Sequence, residues 1–187
     1  ALTAAGRRRR FVLASGNAGK LREIERILAG AEILSLAAFP QIALPEEGDD
    51  YFENARVKAQ TVLAATGIAS LGDDSGLEVD ALEGRPGVHS ARYGGPGLDD
   101  RGRLEQLLRE LGAFPDPLGA RFVCVAVCAL PDGRMLRARG VCEGRITRMA
   151  RGTAGFGYDP IFVPRGLERT CAELDREEKD RISHRGH

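Results

Sequence analysis

Asp73 and Asp74, adjacent carboxylates flanked by glycine in the run GDDSG at 72–76, carry the densest reactive chemistry in the sequence. Like charges side by side repel. A hard divalent cation would relieve them, and Mg²⁺ typically takes one or two carboxylates plus phosphate oxygens. The competing reading is a polar turn. Upstream, Glu46, Glu47, Asp49 and Asp50 are either further carboxylate ligands or a solvated acidic loop.

A second group is Ser15-Gly16-Asn17-Ala18-Gly19-Lys20, where an apolar strand gives way to a helix. Backbone N–H groups at a helix N-terminus attract anions, and Lys20 adds a point charge. This is no Walker A loop: the Gly16 to Gly19 spacing is too short, and Leu21 replaces the Ser or Thr that would hold Mg²⁺. A plain strand–turn–helix connection would look the same.

Lys58 shares a helical face with Asn54 and Thr61, roughly opposite the apolar stripe, and composition alone makes it a solvent-facing charge. In GTAGFGYDP, residues 152–160, three glycines surround two aromatics. Phe156 suits either a core or a stacking platform, and Tyr158 reads as core. The closing EEKDRISHRGH brings together the donors Lys179, His184 and Arg185, or is simply a charged surface helix. His89 and His187 lack motif context, so there is no Ser-His-Asp set. Taken together, the groups describe a nucleoside triphosphate site with Mg²⁺.

The elements that must position these groups follow from apolar periodicity. The pattern predicts a buried strand over 11–14, a helix over 18–29, a strand over 32–36 and an acidic loop over 38–50. Asp50 with Glu53 reads as a capping box opening a helix over 51–66. A short strand over 68–72 should run into a GDDSG turn, with another strand over 77–82. After a Gly- and Pro-rich loop over 84–98 come a helix over 99–112 and a hairpin of 120–130 and 134–142, turning at Pro131-Asp132-Gly133. Residues 151–166 are Gly-rich around a short apolar piece, and Asp175 with Glu178 caps a final helix. Alternating helices and strands with a long hairpin indicate an α/β or α+β domain on a mixed sheet.

At 187 residues the chain suits one domain, and 43% hydrophobic with 29% charged residues is ordinary for a globular protein. Lys plus Arg equals Asp plus Glu at 27 each, so no broad basic face for nucleic acid is indicated. Positive charge for a polyanionic ligand must therefore be gathered locally. No run of 18 apolar residues suggests a membrane span. Cys124 and Cys128, four apart in FVCVAVCAL, read as buried small side chains on one strand face. Without a Cys-x-x-Cys pair, the four cysteines fit a reducing compartment. Residues 1–9 read as a flexible basic tail; the alternative is a weak nucleic-acid arm at Arg7 to Arg10.

These segments resemble the inosine/xanthosine triphosphate pyrophosphatases, which act on deaminated purine nucleotides. The matching runs are SGNAGK, Glu46 followed by FENARVKA, GDDSGLEVDALEGRPGVHSARYGG, GFGYDPIF and AELDREEKDRISHRG, in the family's order over nearly the whole chain. The resemblance implies a mixed twisted α/β sheet forming one domain of two lobes with the site in the cleft between them, and a cytoplasmic homodimer. It implies that Ser15, Gly16, Asn17, Ala18, Gly19 and Lys20 hold the triphosphate, with charge from Lys58 and Lys179. Glu46 and Asp73 would bind Mg²⁺, with Asp74 the general base for water and a further metal ligand. Ser75 would touch substrate, and Phe156 would stack on the purine. Gly157, Tyr158 and Asp159 would line the base pocket, and His184 and Arg185 would read the base edge. The implied reaction is attack of water at the α-phosphate, yielding monophosphate and pyrophosphate. Members usually continue past SHRG into a further apolar helical stretch, whereas this sequence ends at His187, and its Arg-rich start is outside the pattern. Two other classes stay open: nucleotide binding without hydrolysis, and RNA binding through Arg7 to Arg10.

Overall fold

A computed structural model describes residues 8–186. The proposed basic tail lies mostly outside them, although the Arg9 carbonyl already accepts the Glu32 N–H at 2.8 Å. The elements run β1 (Arg10–Leu13), α1 (Ala18–Ile27), β2 (Glu32–Leu34), α2 (Tyr51–Thr66), β3 (Ser70–Val79), β4 (Pro86–Gly87) and α3 (Asp100–Leu111). They continue with β5 (Leu118–Ala129), β6 (Met135–Ile146), β7 (Phe162–Pro164) and α4 (Arg176–Ile182). The strand order is β2-β1-β3-β5-β6-β7, with β4 paired to β3. β1 runs parallel to β2 and β3, while β4 on β3 and β7 on β6 are antiparallel, so the sheet is mixed as expected.

The chain resolves into two compact units, Ala1–Asp74 with Cys124–Arg139, and Ser75–Val123 with Gly140–His187. In the first, α2 buries Ala55 and Ala59 against Val125, Val127 and Ala129. Its Val62 packs with Val12 and Ala14 of the β1 strand and its exit. In the second, Leu104, Leu107 and Leu111, one face of α3, pack with Leu77, Leu118, Ile146, Ile161 and Phe162. Each fully buried Leu, Ile or Phe of this kind contributes roughly 1.5–3 kcal/mol.

Cap chemistry explains where the helices start. Asn17 accepts the N–H groups of Gly19 and Lys20 at the head of α1. Asp50 accepts the Glu53 N–H at 2.7 Å, and the Glu53 carboxylate is held by Arg56. At α4 the Asp175–Glu178 capping box has both of its bonds.

Three expectations are corrected. The GDDSG run is not a turn between two strands: β3 passes unbroken from Ser70 to Val79, and residues 80–82 form a 3₁₀ turn. The carboxylates can sit inside a strand because each is paired, and Gly72 lets the strand approach α2. A Cβ at Gly72 would run into the Ala55 carbonyl. Lys58 is not solvent-facing but only 4% exposed. Of the two cysteines read as buried alike, Cys124 is buried and bonded to Asp73, whereas Cys128 is only half-buried.

Candidate functional site

In the first unit, α1, α2 and the middle of β3 bring two lysines and two aspartates together. Lys58 Nζ lies 2.8 Å from the Asp73 carbonyl, 2.7 Å from Glu47 Oε1 and 3.4 Å from Asp74 Oδ1. Asn54, one helical turn before Lys58, donates to Asp74 Oδ2 at 2.8 Å, and its side chain also bonds both the N–H and the carbonyl of Gly48. Lys20, from the first turn of α1, reaches Asp73 Oδ1 at 2.5 Å. Cys124, on β5, donates its S–H to Asp73 Oδ2 at 3.2 Å. Asp73 and Asp74 are 1% and 3% exposed, so these donors stand in for water. Each carboxylate thus meets a neutral donor and an ammonium.

Burial raises the pKa of Asp74 above the ordinary carboxylate value, with Glu47 adding to the rise and Lys58, Asn54 and Lys20 opposing it. A carboxylate so raised is a better proton acceptor than an ordinary solvated one.

The remaining expected residues of this unit fall nearby in the chain but have different jobs. Asn17 spends its side-chain oxygen on capping α1, and Ser15 Oγ accepts the Asn17 N–H at 3.1 Å. Together they shape the turn that presents Lys20, with Gly16 and Ala18 both exposed and Gly19 buried. Glu46 is exposed and lines a cavity of about 220 Å³ with Glu47, Glu53, Asn54 and Lys58. Among the described residues no three His, Cys, Asp or Glu side chains form a metal-holding group. The donor set nonetheless fits Mg²⁺, because two hard carboxylates suffice when water and phosphate oxygens complete the shell.

In the second unit, a Gly-rich loop and the residues around α4 form another cluster. Gly155 has φ +75°, and a Cβ there would strike the Asp159 carboxylate, so only glycine fits. That carboxylate accepts the Phe156 N–H at 2.8 Å and pairs with Lys179 Nζ at 2.5 Å. Lys179 lies 5.1 Å from the centre of the half-buried Phe156 ring, and the Arg185 guanidinium 6.0 Å from it, within or at the reach of cation–π attraction. The Gly157 N–H donates to Asp100 at 2.8 Å. Tyr158 is core, as its residue type suggested: it is 5% exposed, its hydroxyl donates to the Ser90 carbonyl, and burial pushes its pKa up. His184 stacks on Phe122 with centroids 4.9 Å apart. Arg185 donates to Ser75 Oγ at 2.8 Å, tying the residue directly after Asp74 to the SHR run.

Of the residues in these groups, Asp100 was not singled out in the sequence, Glu47 and Asn54 were named only beside Glu46 and Lys58, and Cys124 was read only as a buried strand residue. Asn54 had a usable signal, since it precedes Lys58 by one helical turn. Cys124 had none, because alternation in an apolar strand describes an inert cysteine equally well.

A model of the Ham1 family matches residues 11–187. The chain is 49% identical over 176 residues to a dITP/XTP pyrophosphatase of Gloeobacter violaceus, covering 94% of this chain and 88% of that one. It is 45% identical over 183 residues to a dITP/XTP pyrophosphatase of Streptomyces coelicolor, covering 95% and 92%. Among solved structures, a HAM1 protein from Coxiella burnetii superposes with a TM-score of 0.83 at 41% identity, covering 95% of this chain and 93% of that one.

Proposed function

The chain belongs to the Ham1 family, and from that premise we propose that it hydrolyses deaminated purine nucleoside triphosphates to the monophosphate and pyrophosphate. ITP, dITP and XTP are the substrates, and the effect is to keep them out of DNA and RNA. The reading rests above all on the buried Asp73–Asp74 pair, each carboxylate oriented by a neutral donor and faced by a lysine.

The proposed roles follow from the chemistry of each group. Asp74 Oδ1, whose Lys58 partner is loose at 3.4 Å, takes a proton from water. The water oxygen bonds the α-phosphorus, and the bond to the bridging oxygen of the leaving pyrophosphate breaks. Lys20, Lys58 and Lys179 neutralise phosphate charge, and the residues from Ser15 to Gly19 set the head of α1, with its helix dipole, against it. Asp73 and Asp74 are the residues that would hold Mg²⁺, and on the family resemblance alone Glu46 would join them. When bound, the cation supplies charge neutralisation on phosphate oxygens and lowers the pKa of a bound water.

Phe156 stacks on the purine, with Gly157, Tyr158 and Asp159 shaping its surroundings and Ser75 contacting substrate. His184 and Arg185 donate to the 6-oxo oxygen of hypoxanthine or xanthine. Adenine presents a 6-amino donor there, and such a mismatch at buried polar groups can discriminate by about 10⁴-fold or more. A homodimer in the cytoplasm completes the proposal, on the family resemblance alone.

Hydrolysis in ¹⁸O-water tests the chemistry. The label should enter the nucleoside monophosphate; label in pyrophosphate would refute attack at the α-phosphorus.

A further inference from the structure

We propose that Cys124 is a positioning residue for the Asp73 carboxylate, and that its thiol sets how tightly the protein binds a divalent cation. The inference rests on the functional reading above and extends it to a residue outside the expected catalytic and ligand sets.

The observation is geometric. Cys124 Sγ is 3.2 Å from Asp73 Oδ2, while Lys20 Nζ is 2.5 Å from Oδ1 of the same group. The carboxylate is therefore held at both oxygens, one from β5 and one from α1. Both Cys124 and Asp73 are nearly inaccessible, at 4% and 1% exposed, so water is not at hand to replace a lost donor. Asp74 is held the same way by Asn54 and Lys58. An amide side chain in that place is an expected orienting group, whereas a thiol is easily passed over as core.

The chemistry explains why a thiol suits the place. A carboxylate has about four lone-pair sites. A weak S–H donor can fix the plane of the group while leaving its oxygens basic enough to meet a cation. It adds no charge, so it does not compete with the cation as a second lysine would. A side chain without a donor would remove this hold on Oδ2 and weaken the balance against the pull of Lys20 on Oδ1. Outer partners that orient metal ligands in this way typically matter by about 10–100-fold in metal affinity. A weak donor belongs at the low end of that range.

Cys128 supplies the internal control. It lies four residues along β5, is half-buried, and burial raises its pKa. A general effect of altering cysteines in this strand would show at both positions; positioning would show only at Cys124.

The test is a Mn²⁺ titration read by electron paramagnetic resonance on the nucleotide-free protein, together with the Mg²⁺ dependence of pyrophosphate release from ITP. Wild type is compared with Cys124→Ala, Cys124→Val, Cys124→Ser and Cys128→Ala. Valine has no donor and, being somewhat larger than cysteine, leaves no cavity, so it serves if the alanine variant does not fold. The donor-less variants should bind Mn²⁺ about tenfold more weakly. Their half-saturating Mg²⁺ should rise in parallel, while kcat and the KM for ITP at saturating Mg²⁺ hold. Cys124→Ser should restore binding, and Cys128→Ala should match wild type. Wild-type Mn²⁺ affinity in the folded donor-less variants would overturn the role of Cys124 and leave the pyrophosphatase reading standing. A wild-type protein that neither binds Mn²⁺ nor needs Mg²⁺ for turnover would overturn the cation reading and this inference with it.

Discussion

Asp74 carries opposing demands that a single substitution can separate. Burial raises its pKa, so in the pH window between its unfolded and folded values the folded state holds the extra proton. Stability therefore falls as pH rises through that window, and the deficit persists above it. Asp74→Asn keeps the bond from Asn54 and removes the buried charge. In chelator at neutral pH the variant should melt higher than wild type, at about 2–4 °C for each kcal/mol relieved, and the gain should vanish at acid pH. Its turnover should fall by about 10²–10⁴-fold if the group is the general base. A lower melting temperature at neutral pH, measured by calorimetry, would contradict the assignment of burial as the dominant cause. At this scale the titratable residues were legible from their types and neighbours. The groups that orient them were not, because Asn54 and Cys124 act across elements that only the fold brings together.

The elements show why a strand was misread as a turn. Gly72, Asp73, Asp74, Ser75 and Gly76 have turn-forming composition, yet β3 continues through them. The deciding contacts, Lys20, Asn54, Lys58 and Cys124 on two helices and a neighbouring strand, are all distant in sequence. The helices were legible because their caps and periods are local: Asp50, Asn17 and Asp175 each bond N–H groups within their own first turn. Gly72→Ala tests the close approach of β3 to α2. The clash with the Ala55 carbonyl should cost about 1–3 kcal/mol in chemical denaturation, and unchanged stability would contradict it. Asp100 tests how α3 steadies the Gly-rich loop, since it accepts the Gly157 N–H. Asp100→Ala should raise the KM for ITP with a smaller effect on kcat. A kcat loss at constant KM would place its effect elsewhere.

For the molecule as a whole, the equality of 27 basic and 27 acidic residues leaves recognition of a polyanion to local charge. Lys20 and Lys58 face Asp73 and Asp74, and Lys179 faces Asp159. Such pairs hold cations in place without giving the surface an excess charge, which is why net charge says little about the substrate. The α/β class and the mixed sheet were readable from the alternation of patterns, because fold class depends on many residues and tolerates local errors. The proposed homodimer predicts a mass near twice 20.1 kDa by light scattering, and a monomer at all concentrations would contradict it. The central claim is tested most directly by product analysis with ITP, dITP, XTP, GTP and ATP in the presence of Mg²⁺. The prediction is monophosphate and pyrophosphate in equal amounts from ITP, dITP and XTP, with ATP turned over far more slowly. Orthophosphate as the first product, or ATP hydrolysed as readily as ITP, would contradict it.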